Sequence, residues 1–233
     1  MRLPATAALF LLALPGLAHA QAYQCTAPRR FDPPRPVQPD GEVRRVPVAG
    51  YVLAASWSPE YCRRPQDKGT MQCSGQNGRF GFVLHGLWPE AANGPPPQWC
   101  SLTPRPSPQV VRRNLCMTPV PWLIEHEWAK HGSCMARTPE AYYRSSAALW
   151  RSLHWPDADR FSRQEGLTVG DLRKAFLERN PHWRAEQVKV RLSDAGWLRE
   201  IHLCYGRDFM PTACDRQDRG PPDSAPLKIW RGL

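Results

Sequence analysis

The sequence predicts an α+β domain: a central antiparallel sheet flanked by helices and held by four disulfides. Three observations lead there. Strand-like runs at residues 51–57, 79–85, 187–192 and 197–205 bracket three segments with helical periodicity and caps. The last two runs flank Ser193-Asp194-Ala195-Gly196, a turn that folds them into an antiparallel hairpin. The eight cysteines (Cys25, Cys62, Cys73, Cys100, Cys116, Cys134, Cys204 and Cys214) are even in number and all follow a secretory segment. A chain that meets oxidising conditions pairs such cysteines.

Residues 1–20 form that segment, with a basic start at Arg2, an apolar run from Ala5 to Leu17 and the small-x-small end Ala18-His19-Ala20. The run is short and poorly flanked for a membrane span. Residues 21–233 suit one domain with a sizeable core and contain no second stretch of comparable hydrophobicity. The expected mature protein is exported, periplasmic or secreted, with no membrane partner. Residues 26–48, rich in proline and arginine, read as an irregular arm tied down through Cys25.

Residues 51–57, Tyr-Val-Leu-Ala-Ala-Ser-Trp, read as a buried strand ended by Ser58-Pro59, and residues 62–78 as a polar loop that a local bridge would close. Residues 79–85, Arg-Phe-Gly-Phe-Val-Leu-His, form a second strand with a histidine at its end, followed by a proline-heavy loop over 94–108. Helical periodicity runs from Trp122 to His131 and stops at Gly132. Thr138-Pro139-Glu140 starts a second helix reaching Leu153, and Thr168 caps a third over 169–179, stopped by Asn180-Pro181. Tyr142, Tyr143 and Trp150 sit at helical spacing and read as core-facing. His154, His182 and His202 have no partner motif nearby and read as structural or surface residues. The polar, proline-rich tail from Asp215 is expected to be partly mobile.

The formal net charge of +10 predisposes an exported chain toward polyanions such as RNA, DNA, heparin-like sugars or anionic lipid. Charge alone fits a generic basic surface equally well. No C-x-x-C pair occurs, which argues against a zinc ribbon or a thioredoxin-like site.

Chemistry concentrates in Ile124-Glu125-His126-Glu127-Trp128-Ala129-Lys130-His131-Gly132-Ser133-Cys134. On a helix, His126 and Lys130, and Glu127 and His131, are i,i+4 neighbours. The four then share one broad face, with Ile124 and Trp128 anchoring the other. A proton-transfer group, a cation and a carboxylate on one rigid element suit acid–base chemistry on an anionic substrate. A zinc-protease helix needs histidines four apart on one face. Here they are five apart, diverge by ~140° around the helix, and a lysine occupies the ligand position, so no metal is expected. A second cluster, Phe82-Val83-Leu84-His85-Gly86-Leu87-Trp88-Pro89-Glu90, places a histidine beside a glycine that permits close approach. Trp88 offers an aromatic plane on which a base could stack for ~1–3 kcal/mol.

Together these two segments resemble the active-site segments of the ribonuclease T2 family, in the right order and with a similar strand upstream. The resemblance implies a ribonuclease T2-like fold and an endoribonuclease that cleaves single-stranded RNA with low base specificity. It implies His131 as general base, His85 as general acid, Glu127 and Lys130 stabilising the phosphorus centre, and His126 binding phosphate. The products would be 2′,3′-cyclic phosphates, then 3′-phosphates. DNA, lacking the 2′-hydroxyl, would not be cleaved, and neither cofactor nor metal is called for. Trp88 and Glu90 would contact a base; the family more usually carries aspartate at the latter position, which leaves base preference open. The family pattern pairs Cys100 with Cys134, Cys62 with Cys73 and Cys204 with Cys214, leaving Cys25 for Cys116. A monomer is expected. The rival readings are a secreted zinc hydrolase, opposed by the histidine spacing, and a non-catalytic polyanion binder, opposed by the intact acid–base set.

Overall fold

The computed structural model describes residues 22–215 and 220–232; the secretory segment lies outside them. In chain order the elements are β1 (Ala22–Tyr23), β2 (Gly50–Trp57), α1 (Ser58–Tyr61), β3 (Arg79–Phe80), β4 (Phe82–Glu90), α2 (Pro108–Asn114), α3 (Pro121–Lys130), α4 (Pro139–Arg151), α5 (Ala158–Phe161), α6 (Val169–Arg179), β5 (Val188–Leu192) and β6 (Leu198–Gly206). The central sheet has the order β4-β2-β6-β5, antiparallel throughout, and β1 pairs with β3 in a small separate ribbon.

Alternation along the strands gives the sheet two unlike faces. Leu53, Ala55 and Trp57 of β2, Ile201 and Leu203 of β6, and Val188 and Val190 of β5 enter one core cluster. Tyr142 and Trp150 of α4 and Leu172 and Phe176 of α6 join that cluster. Burying each large side chain contributes ~1.5–3 kcal/mol. The other face carries Val52, Ala54 and Ser56, then Glu200, His202 and Cys204, then Lys189 and Arg191. Register fixes this set, since Ser56 pairs with Glu200, Ala54 with His202 and Lys189 with His202.

The three expected helices are present, and α4 and α6 have the expected caps: Thr138 Oγ1 accepts from Ala141 N–H, and Thr168 forms a capping box with Asp171. All four disulfides join the cysteines implied above. One expectation needs correction, and two further features complete the fold. The strand expected to end at His85 continues to Glu90, because an edge strand tolerates Pro89. A helix, α2, follows the proline-heavy loop, with Ser107 Oγ capping Val110 N–H and Pro108 at the first position, where a missing N–H costs nothing. The tail is anchored: Leu227 and Ile229 are buried, Lys228 O accepts from Leu198 N–H, and Trp230 O accepts from the Trp57 indole.

Candidate active site

β4 positions the first half of the site. Its register to β2 shifts between Ala54, opposite Gly86, and Ala55, opposite Leu84, which leaves His85 as the extra residue of a β-bulge. Such bulges re-aim a side chain, and this one turns His85 onto the polar face of the sheet. At Gly86 a Cβ would overlap the Glu127 carboxylate and the Trp88 indole nitrogen, so glycine lets the helix α3 settle directly on the strand. Tyr142 of α4 braces the next residue: Leu87 N–H donates to its hydroxyl at 3.1 Å, and that hydroxyl donates to Leu87 O at 3.2 Å.

α3 supplies the second half. Ile124 and Trp128 are buried; the Tyr143 hydroxyl holds Ile124 O, and the Trp128 indole donates to Pro104 O. The helix stops at Lys130, with His131 at its C-cap. At Gly132 a Cβ would lie 2.7 Å from the rings of Trp128 and Tyr142. Trp99 N–H donates to Lys130 O, and Cys100–Cys134 staples the same loop to the helix end. The single broad face expected of the four polar residues is divided: Glu127 and His131 meet Trp88, whereas His126 and Lys130 meet Trp99 and the N-terminal arm.

At the centre lies Trp88, with ring centroids 5.1 Å from His85, 5.5 Å from His131 and 5.2 Å from His202. Its indole N–H donates to Glu127 Oε2 at 2.7 Å, so it braces the site as well as offering a plane. His85 Nδ1 lies 2.6 Å from Glu200 Oε1, and its Nε2 lies 3.5 Å from Glu127 Oε1. Glu200 Oε1 also accepts from Ser56 Oγ at 2.7 Å, and its Oε2 lies 2.6 Å from His202 Nε2.

These environments drive the two motif histidines apart. Burial alone would push His85 down, but the hydrogen bond to Glu200 and the charges of Glu127 and Glu200 outweigh it and raise its pKa to about 9. His131 moves the other way. Burial, then the charges of Lys130, His126 and His85, push it down to about 3, and its buried Nδ1 has no hydrogen-bond partner. Burial lifts Glu127 to about 7, against the pull of His85 and the Trp88 indole. Glu200 is also buried, but hydrogen bonds from His202 and His85 hold it far below the usual carboxylate range. Burial lowers His202, with Glu200 opposing.

A second cluster borders the first. His126 stacks on Trp122 at 4.9 Å and meets the edge of Trp99 at 5.3 Å; burial and the nearby Lys130 charge lower its pKa. Lys130 Nζ lies 2.9 and 3.0 Å from the two oxygens of Asp40, which also accepts from the Trp99 indole. Glu90, at the end of β4, lines a cavity of about 540 Å³ with Val52, Lys189 and Thr212. At the opposite end of the polar face, Ser56, Tyr61, Arg63, Arg64, His85 and Arg199 line another of about 710 Å³.

Sequence reasoning missed Ser56, Asp40, Glu200 and His202. Of the two expectations for His202, structural or surface, the surface one does not hold: it is buried against Trp88 and Glu200. The period-two alternation of 198–204 does place Glu200 and His202 on one face, but which face meets the motifs depends on pairing with β2. Among the described residues no group of three or more His, Cys, Asp or Glu side chains is arranged to hold a metal ion.

A model of the ribonuclease T2 family matches residues 49–171, over half of the chain, and that span holds both motifs. The chain belongs to the ribonuclease T2 family. A ribonuclease of Aeromonas hydrophila is 38% identical over 187 residues, covering 74% of this chain and 80% of that one. A probable ribonuclease of Haemophilus influenzae is 28% identical, covering 75% of this chain; the match spans only 64% of that relative's length. Among solved structures, RNase NT in complex with 5′-AMP is alike in fold, with a TM-score of 0.61 at 19% identity, covering 79% of this chain and 98% of that one. The matched T2 span includes Ser56 but stops short of Glu200 and His202 and begins after Asp40. The residues that sequence reasoning missed thus mostly lie outside the stretch that defines the family.

Proposed function

We propose that this protein is an exported, metal-independent endoribonuclease that cleaves single-stranded RNA through a 2′,3′-cyclic phosphate. The observation that carries the reading is the placement of His85 and His131 around Trp88, in environments that drive their pKa values in opposite directions. Transphosphorylation needs a neutral base to take the 2′-hydroxyl proton and a charged acid to protonate the leaving 5′-oxygen. Divergent environments around paired titratable groups assign such roles. His131, uncharged at neutral pH, is the base; His85, charged, is the acid. Lys130 and Glu127 stabilise the pentacoordinate phosphorus centre and His126 binds phosphate. The roles of the two histidines then exchange as water opens the cyclic phosphate to a 3′-phosphate.

The cavity beside His85, lined by Arg63, Arg64 and Arg199, suits the leaving nucleotide, and the cavity lined by Glu90 suits the upstream base, which Trp88 would also contact. DNA offers no 2′-hydroxyl and is not cleaved. The four disulfides support export and an oxidising working compartment, and the chain acts as a monomer.

The test is His85→Ala and His131→Ala assayed on a defined RNA, with chromatography of the products. Loss of cleavage with binding retained, and cyclic phosphate among the wild-type products, is expected. Unchanged cleavage in either variant, or activity abolished by EDTA and restored by zinc, refutes the mechanism.

A further inference from the structure

We propose that Glu200 is a positioning residue for the acid step, holding His85 in the orientation and tautomer that aim a proton at the leaving oxygen. The inference rests on the acid role given to His85 above.

Glu200 is placed by register. β6 pairs with β2, bringing Glu200 opposite Ser56, and the bulge in β4 swings His85 over the same spot. The carboxylate is then engaged on both oxygens. Ser56 Oγ–H and His85 Nδ1–H reach Oε1 at 2.7 and 2.6 Å, and His202 Nε2–H reaches Oε2 at 2.6 Å. Its side chain is only 19% exposed. A buried carboxylate with three donors keeps its charge and its geometry. With Nδ1–H committed to Glu200, the ring can gain or lose a proton only at Nε2, the nitrogen 3.5 Å from Glu127 on the α3 side. In cleavage the Nε2 proton passes to the departing 5′-oxygen, which keeps the electron pair of the broken P–O bond. His85 is left as the Nδ1–H imidazole, ready to accept a proton from water at Nε2 in the hydrolytic step.

Other charged groups face the pair. Glu127 on α3 and Glu200 raise the affinity of His85 for its proton, while Arg199 on β6 opposes them. His126, Lys130 and His131 at the end of α3 bear on the same cleft. Burial lowers the pKa of His202, Glu200 opposes that shift, and Arg191 and Lys189 on β5 add to it.

The experiment compares two substrates: a dinucleotide, whose leaving alkoxide needs a proton, and uridine 3′-(4-nitrophenyl phosphate), whose leaving group does not. Glu200→Gln should lower kcat on the dinucleotide about 100-fold, within the range general acid catalysis supplies. KM should hold, the nitrophenyl ester should react nearly as fast as with wild type, and the alkaline limb of the pH profile should move to lower pH. Equal losses on both substrates, or an unmoved alkaline limb, overturn the proposal. His85→Ala run in parallel separates the two readings. If that variant also loses both substrates equally, the acid assignment itself fails. If it alone discriminates between them, His85 remains the acid and Glu200 is not its positioner. Nitrogen-detected NMR of wild-type His85 needs no variant: above its pKa the proton should reside on Nδ1, and a proton on Nε2 overturns the proposal.

Discussion

Replacing Gly86 with alanine adds a single methyl group, yet it should disable the site. The new Cβ would fall on Glu127 Oε2 and 2.6 Å from Trp88 Nε1, the two atoms that form the 2.7 Å bond between β4 and α3. Neither partner can yield freely: Glu127 is 2% exposed, and Leu87, beside Gly86, is fixed on both main-chain groups by Tyr142. Overpacking a tight contact costs about 1–3 kcal/mol, and losing a buried hydrogen bond to a charged group costs about 1.5–3 kcal/mol. One displacement relieves the clash and breaks the bond, so the two overlap and about 3 kcal/mol is expected. For a domain of this size that lowers Tm by about 6–12 °C. The displaced carboxylate no longer faces His85 Nε2, and a misplacement on the ångström scale costs about 100-fold in rate. Thermal unfolding and dinucleotide kinetics on Gly86→Ala check both. A variant with wild-type Tm and wild-type kcat refutes the idea that glycine is needed here for close packing of strand and helix.

Activity should follow a broad bell in pH. Acid catalysis by His85 is lost as pH rises through about 9, base catalysis by His131 is lost only as pH falls toward about 3, and Glu127 adds an inflection near 7; a narrow bell centred on unperturbed histidine values near 6.5 contradicts this. Removing Cys100–Cys134 by paired alanine substitution opens a bridge spanning 34 residues of sequence separation. It should cost about 3–4 kcal/mol in guanidinium unfolding, and kcat should fall because the end of α3 loses its tether. Trp122→Ala removes a ring that is 52% exposed and stacked on His126, so unfolding should change by less than about 1 kcal/mol while KM for RNA rises. Asp40→Asn should likewise leave stability within about 1 kcal/mol, as expected of an exposed ion pair, and act on the rate through Lys130.

The sequence exposes what is local. His85, Glu127 and His131 announce themselves because each motif packs its chemistry into a few consecutive positions on one element. The caps Thr138 and Thr168 do the same for their helices. Glu200 and His202 are invisible in that sense. Their partners stand on β2 and β4, more than a hundred residues away, and only strand register brings them together. Asp40 reads as one acid in an irregular arm until the pairing of Arg44 with Gln98 lays that arm beside Lys130. α2 and the packed part of the tail are not legible in the sequence because both adjoin proline, which marks loops as readily as it starts a helix. At Pro108 it is a helix starter, and around Leu227 and Ile229 it shapes an extended segment that packs.

β4 carries the reactive histidine along the margin of the sheet, where main-chain groups ordinarily invite another chain to add a strand. That invitation is withdrawn here. Leu84 N–H is taken by Met117 O and Leu84 O by the Thr118 hydroxyl, while Tyr142 occupies both groups of Leu87. Groups of the molecule itself, main-chain and side-chain, thus stand where a foreign backbone would zip on at Leu84 and Leu87, beside the residue that displays the chemistry.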